Sequence, residues 1–185
     1  SSMKSLALQP ARWQTGENGE LFAPQYGDVY ASRSSAWGQA QAVFIEGCEL
    51  PVRAENLPCL RLLETGFGLG VNFLATWAWL RQCAYATRLR YVAIEKHPFT
   101  LADLRAALAS CIQSAPAEQI SELEQLAQRL IAAWPPLIPG FHTLELDRQV
   151  TLTLVPGSSY AQTLAKAEAA RALIQRHPQV KLIYT

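Results

Sequence analysis

Charge is scarce in this chain, and what there is nearly cancels. Of 185 residues, 17% are Asp, Glu, Lys or Arg, and the formal net charge is +1. That excludes an acidic disordered tail and a strongly basic nucleic-acid module, and it gives no electrostatic argument for an RNA partner. There is no C-x-x-C pair. Cys48, Cys59, Cys83 and Cys111 are scattered, with no histidine at metal-ligand spacing, so reduced thiols are expected rather than a zinc site or a disulfide framework. His97, His142 and His177 show neither triad nor metal spacing. No apolar run is long enough to span a membrane, and no basic-then-apolar leader pattern is present. What remains is half hydrophobic, enough for one sizeable core, and a soluble, cytoplasmic protein is expected.

The first 58 residues are mixed and read as an extension to the core at 59–185. "GENGE" (16–20) is a turn by composition, placed to join "SLALQPARW" and "LFAPQYGDVYAS" as a hairpin. "AQAVFIEG" (40–47) fits the start of a helix or a strand. Regular patterning begins at Leu60–Glu64, which has strand length. Val71, Phe73, Leu74, Trp77 and Leu80 then recur at helical spacing over 70–81. "LRYVAIE" (89–95) is a second buried strand. Thr100 reads as an N-cap with Asp103 in capping-box position, opening a helix to about Ser110. A further helix is expected over 118–134 and ends at "PPLIPG", since proline breaks the hydrogen-bond ladder. "FHTLELDRQVTLTLV" (141–155) alternates as two strands around Asp147–Gln149. Residues 160–176 are Ala-rich and helical by composition, and "VKLIYT" (180–185) is a last strand. This strand–helix alternation predicts the α/β class: a Rossmann-like parallel sheet with helices on both faces.

At the turn from the first regular strand into its helix stands "ETGFGLG" (64–70). Gly66 and Gly68 would permit a tight turn and a close backbone approach to a ligand, and Gly70 would let the helix start lie close to the strand. One reading is a strand-to-helix turn and nothing more. Glu64, however, follows an apolar run, an expensive place for a charge unless something pairs with it. A second acid, Glu95, ends the next strand. Dinucleotide sites use G-x-G-x-x-G to seat a pyrophosphate on a helix N-terminus. The G-x-G-x-G seen here, preceded by an acid, suits S-adenosylmethionine better, because that nucleoside has no phosphate and carries a cationic amino group. Glu95 is placed where a carboxylate grips a ribose diol.

Taken together, "GDVYAS" (27–32), "AVFIEGCELPVR" (42–53), "ETGFGLGVNFLATW" (64–77), "YVAIEKHPFTLADL" (91–104) and "AAWPPLIPGFHTLELDRQVTLTL" (132–154) follow one order. In this the chain resembles the methyltransferase domain of MnmC, the bifunctional tRNA 5-methylaminomethyl-2-thiouridine biosynthesis protein. The resemblance runs from about Leu6 to Thr185. It implies a class I S-adenosylmethionine-dependent fold and methylation of the aminomethyl group on a tRNA wobble uridine. FAD would enter only with a C-terminal oxidoreductase domain. Carried over by position, Glu64, Gly66, Gly68, Gly70 and Asn72 correspond to the cofactor loop. Glu95 and Lys96 match the family's acid–lysine pair after the second strand. Asp28 and Tyr30, in the D-V-Y segment, are the candidate catalytic pair over the cofactor and target base. Where the family usually has Gly-Asp, with the aspartate on the adenine amino group, this chain has Gly157 and Ser158, a weaker, uncharged acceptor.

The family continues past its fourth strand with an aspartate-led motif, so the resemblance places the main catalytic acid beyond Thr185. A truncated or naturally reduced relative is therefore expected, and an inactive structural or binding remnant is the alternative function. An unpaired sheet edge would favour pairing with a second copy. Of the five tryptophans, Trp77 and Trp134 fall on apolar helical faces, and Trp37, in "SRSSAWGQ", is the best base-stacking candidate. The arginines Arg33, Arg53, Arg81, Arg88 and Arg90 are read as solvated surface.

Overall fold

The computed structural model describes residues 14–15, 21–23, 28–31, 36–41, 45, 58–83, 86–157 and 180–184. Two sheets are present among them. The smaller is an antiparallel meander of β1 (Gln14–Thr15), β2 (Leu21–Ala23) and β3 (Asp28–Ala31). The turn expected at "GENGE" lies outside the described residues, but the strands on either side of it pair, with Gln14 opposite Phe22. The second expected arm folds back on itself instead, because β2 also pairs with β3. A short helix, α1 (Ala36–Gln39), follows.

The larger sheet contains β4 (Cys59–Thr65), β5 (Arg88–Glu95), β6 (His142–Glu145), β7 (Val150–Pro156) and β8 (Val180–Tyr184), in the order β6-β7-β5-β4-β8. Four of these strands are parallel, and only β6 runs against its neighbour. Between them lie α2 (Val71–Cys83), α3 (Leu101–Ile112) and α4 (Ala117–Ala133). The chain steps outward from β4 to β5 to β7, while β8 lies on the opposite side of β4. In α/β sheets ligands bind beyond the carboxyl ends of the strands at such a reversal of strand order.

Alternation along the strands explains the core. Leu60, Leu62, Leu89, Tyr91, Ala93, Val150, Leu152 and Leu154 are buried in one cluster with Phe73, Leu74 and Trp77 of α2, Leu104 and Leu108 of α3, and Leu126 and Leu130 of α4. Leu63, Ile94 and Val155 form a smaller cluster on the other face. The described helices thus contribute to the first cluster, and the helix expected over 160–176 lies outside the described residues. No helix among them is long and apolar enough to cross a membrane.

Polar contacts fix the register of these layers. The Trp77 indole N–H donates to Asp147 Oδ2 at 2.9 Å, while Asp147 Oδ1 accepts from the N–H groups of Gln149 and Val150. One aspartate therefore shapes the β6–β7 turn and ties it to α2. Trp37 departs from its expected role. It is 7% exposed, in α1, and its indole N–H donates to the Cys111 carbonyl at 3.0 Å. A polar neighbourhood in sequence does not make a polar neighbourhood in space, and this ring is core rather than a stacking platform.

The α3 N-terminus forms as its sequence predicts, with the Thr100 hydroxyl accepting from the Asp103 N–H at 3.2 Å. Thr100→Ala should lower stability by about 1 kcal/mol in urea denaturation, the usual cost of losing an N-cap. An unchanged midpoint would show that the cap contributes nothing.

Candidate functional site

The site begins where β4 runs out of apolar residues. After Glu64 and Thr65 the chain enters a loop in which Gly66, Gly68 and Gly70 have φ of +89°, +56° and +79°. Side-chain-bearing residues rarely adopt these angles, so the alternate glycines are required by the backbone itself. At Gly70 there is a second reason. A Cβ there would stand 2.6 Å from Cζ of Phe67. The expectation that Gly70 admits the helix against the strand is therefore refined: the space is taken by the ring of the loop's own phenylalanine.

The loop remains tied to the sheet. The Gly66 N–H donates to the Ile94 carbonyl at 2.7 Å, and the Gly70 N–H closes a turn on the Phe67 carbonyl at 2.9 Å. Between them the Gly68 N–H donates to Glu95 Oε1 at 2.8 Å. Glu95 Oε2 accepts from the His97 N–H at 3.2 Å, and its main-chain carbonyl accepts from Gly157 N–H at 2.7 Å. One residue at the end of β5 thus links three loops at the carboxyl edge of the sheet.

Glu64 is 1% exposed. Its Oε2 accepts from Asn72 Nδ2 at 2.7 Å, an interaction across the first turn of α2. Its Oε1 is buried and has no hydrogen-bond partner among the described residues. The Tyr91 hydroxyl also acts on this carboxyl and favours its charged form. Burial outweighs both helpers, and the nearby Glu95 adds repulsion, so the Glu64 pKa is pushed up to about 7. Glu95, 6% exposed, is also raised by burial, with the N–H groups of Gly68, His97 and Lys96 acting the other way. Among the described residues no lysine, arginine or histidine forms an ion pair with either acid; the one ion pair found is Arg81–Glu122 at 3.1 Å. Two buried acids that pair with no cation among the described residues form a site that a positively charged group with N–H or O–H donors would relieve.

The structure therefore brings together Glu64, Gly66, Gly68, Gly70, Asn72 and Glu95, with Lys96 supplying an N–H and an exposed side chain. Asp28 and Tyr30 lie on β3 of the smaller sheet, and their side chains are outside the described part. Ser158 is outside the described residues; its neighbour Gly157, the residue after β7, has φ of +66°. Sequence patterning missed Phe67, Tyr91 and the His97 N–H. The aromatic residue between two loop glycines, and a tyrosine in a strand beside an acid, were the available signals. Among the described residues no group of His, Cys, Asp and Glu is arranged to hold a metal ion.

No family model matches the chain. It is 42% identical over 167 residues to the tRNA 5-methylaminomethyl-2-thiouridine biosynthesis bifunctional protein MnmC of Burkholderia vietnamiensis, covering 89% of this chain and 24% of that protein. The MnmC proteins of Burkholderia mallei and Paraburkholderia phytofirmans are 44% and 45% identical over 154 residues. The chain is similar to these MnmC proteins over most of its own length. It spans about a quarter of the length of those MnmC relatives. The crystal structure of MNMC2 from Aquifex aeolicus superposes with a TM-score of 0.54 at 18% identity, over 81% of this chain and 43% of the other. That match establishes the Rossmann-like fold.

Protonation of Glu64 leaves a thermodynamic signature. Its folded pKa of about 7 lies above the ordinary 4.5, so the folded state holds a proton that the unfolded chain has lost between these values. Stability should therefore fall as pH rises from 4.5 to 7, by up to about 3 kcal/mol from this group. Urea denaturation across that range should show Glu64→Gln with a flatter profile than the parent chain. Parallel profiles would place the carboxylate in water.

Proposed function

We propose that this chain binds S-adenosylmethionine at the glycine loop. In this reading it methylates the 5-aminomethyl group of a 2-thiouridine at the wobble position of tRNA. The observation that carries the proposal is the buried Glu64, one oxygen of which has no hydrogen-bond partner among the described residues, beside three left-handed glycines at the switch of strand order. The residues fit the group. An ammonium on the cofactor's amino-acid end gives the Glu64 oxygen its partner, and Asn72 keeps the carboxylate oriented. Glu95 retains lone pairs for a ribose diol while holding Gly68. Lys96 and Ser158 flank the adenosine side in this reading. A dinucleotide fits worse. The Gly68 N–H that would meet a pyrophosphate is already given to Glu95, and two buried carboxylates repel a dianion.

The bound cofactor would supply an electrophilic methyl group to an in-line displacement by a neutral amine. What the protein contributes is alignment and exclusion of water. Asp28 is the proposed acceptor of the amine's proton, with Tyr30 as its hydrogen-bonding neighbour. The substrate is drawn from the names of the MnmC relatives, while the FAD-dependent partner activity and a cytoplasmic setting are drawn from the sequence reading alone. The likeness to MnmC supports this reading without extending to the greater part of those proteins' length.

Calorimetry with S-adenosylhomocysteine, which keeps the ammonium and the diol, tests the cofactor reading. An ammonium favours the Glu64 carboxylate, so binding near pH 6 should release up to about one proton, and binding near pH 8 almost none. Comparing buffers of different ionisation heat measures that release. Glu64→Gln should weaken binding about tenfold and abolish the release. A folded chain giving no heat with this ligand, or giving heat with NADH instead, would overturn the assignment.

A further inference from the structure

The glycine loop has a cost that the cofactor reading leaves open. Three left-handed glycines are freer in the unfolded chain than any other residue, so holding them in one conformation requires contacts from elsewhere. The loop's own anchor is Phe67, 4% exposed, whose ring fills the space that a side chain on Gly70 would take. Its partner is Trp134, the residue that ends α4. The two rings stack with centroids 6.0 Å apart and planes 29° apart. The edge of the indole is committed too: its N–H donates to the Phe99 carbonyl at 3.0 Å. Phe99 belongs to the segment that leaves Glu95 and leads into α3.

We propose that Trp134 is a positioning residue, clamping the loop after β4 to the segment after β5 through a ring stack on Phe67 and an N–H bond to Phe99. The clamp acts in parallel with the Gly68–Glu95 hydrogen bond, on the same two segments. It also continues inward. Phe67 lies 6.1 Å from Phe73, and Phe73 meets Tyr91 edge-on at 5.0 Å. The Tyr91 hydroxyl in turn favours the charged form of Glu64. A row of aromatic rings thus runs from the end of α4 to the buried acid, and Trp134 is its outer member. Its effect on ligand affinity rests on the cofactor reading; its effect on the loop does not.

Hydrogen exchange on the 185-residue chain separates these. Trp134→Leu removes both contacts, and amides at 66–70 should exchange about tenfold faster while those of the β5 core keep their rate. Affinity for S-adenosylhomocysteine should fall by a similar factor. Trp134→Phe keeps the stack, gives up the N–H bond, and should recover most of the protection. Should Trp134→Leu not fold, Phe67→Leu breaks the same stack from the loop side and carries the same expectation. Parent-like exchange at 66–70 in these variants, or equal acceleration throughout the chain, would overturn the clamp. If the parent chain does not bind S-adenosylhomocysteine, the cofactor reading falls, and the exchange rates alone decide the positioning role.

Discussion

The contact between the Gly68 N–H and the Glu95 carboxylate is the point on which the rest of this site depends. It brings a backbone donor from one strand end to a buried acid on the next. The bond compensates in part for removing a carboxylate from water, and the remaining penalty appears as the raised pKa of Glu95. It also helps to fix the curvature of a loop in which alternate residues are left-handed glycines. The pKa of nearby Glu64 is raised chiefly by its own burial, offset in part by Asn72 and Tyr91, with Glu95 repulsion the smallest contribution. Two buried acids stand at the ends of neighbouring strands, and burial raises the pKa of each. In the cofactor reading proposed above, such a site favours a cationic ligand.

Much of the sheet was legible from periodicity. The strands at 59–65 and 88–95, the helix after the glycines, the Thr100 cap and the two strands around Asp147 all follow from hydrophobic spacing and turn chemistry, with boundaries moved by a residue or two. They are legible because each is decided by local preference together with burial of one face. The N-terminal region behaved differently. Its short strands pair across turns whose register no periodicity encodes, and Trp37 is buried because α1 meets α3, a fact of the tertiary fold.

The carboxylates and glycines of the site were legible as well, since acids after apolar strands and alternate glycines stand out by their cost. Their connections were not. That Asn72 reaches Glu64, that Glu95 holds Gly68 rather than standing open, and that Trp134 braces Phe67 all require elements 8 to 67 residues apart to meet. Composition says which groups are expensive to bury. Only the fold says which neighbours make the burial tolerable.

The strand order has one more consequence, for synthesis. Central strand β4 has a partner on each side, and Arg61 is matched to Val180. Roughly 120 residues separate that pair, so at ribosomal speeds of about 5–20 residues per second one flank of β4 waits many seconds for its neighbour to emerge. Until then a hydrophobic ribbon stands half-covered. A nascent chain of this kind is a natural client for a chaperone that shields apolar segments.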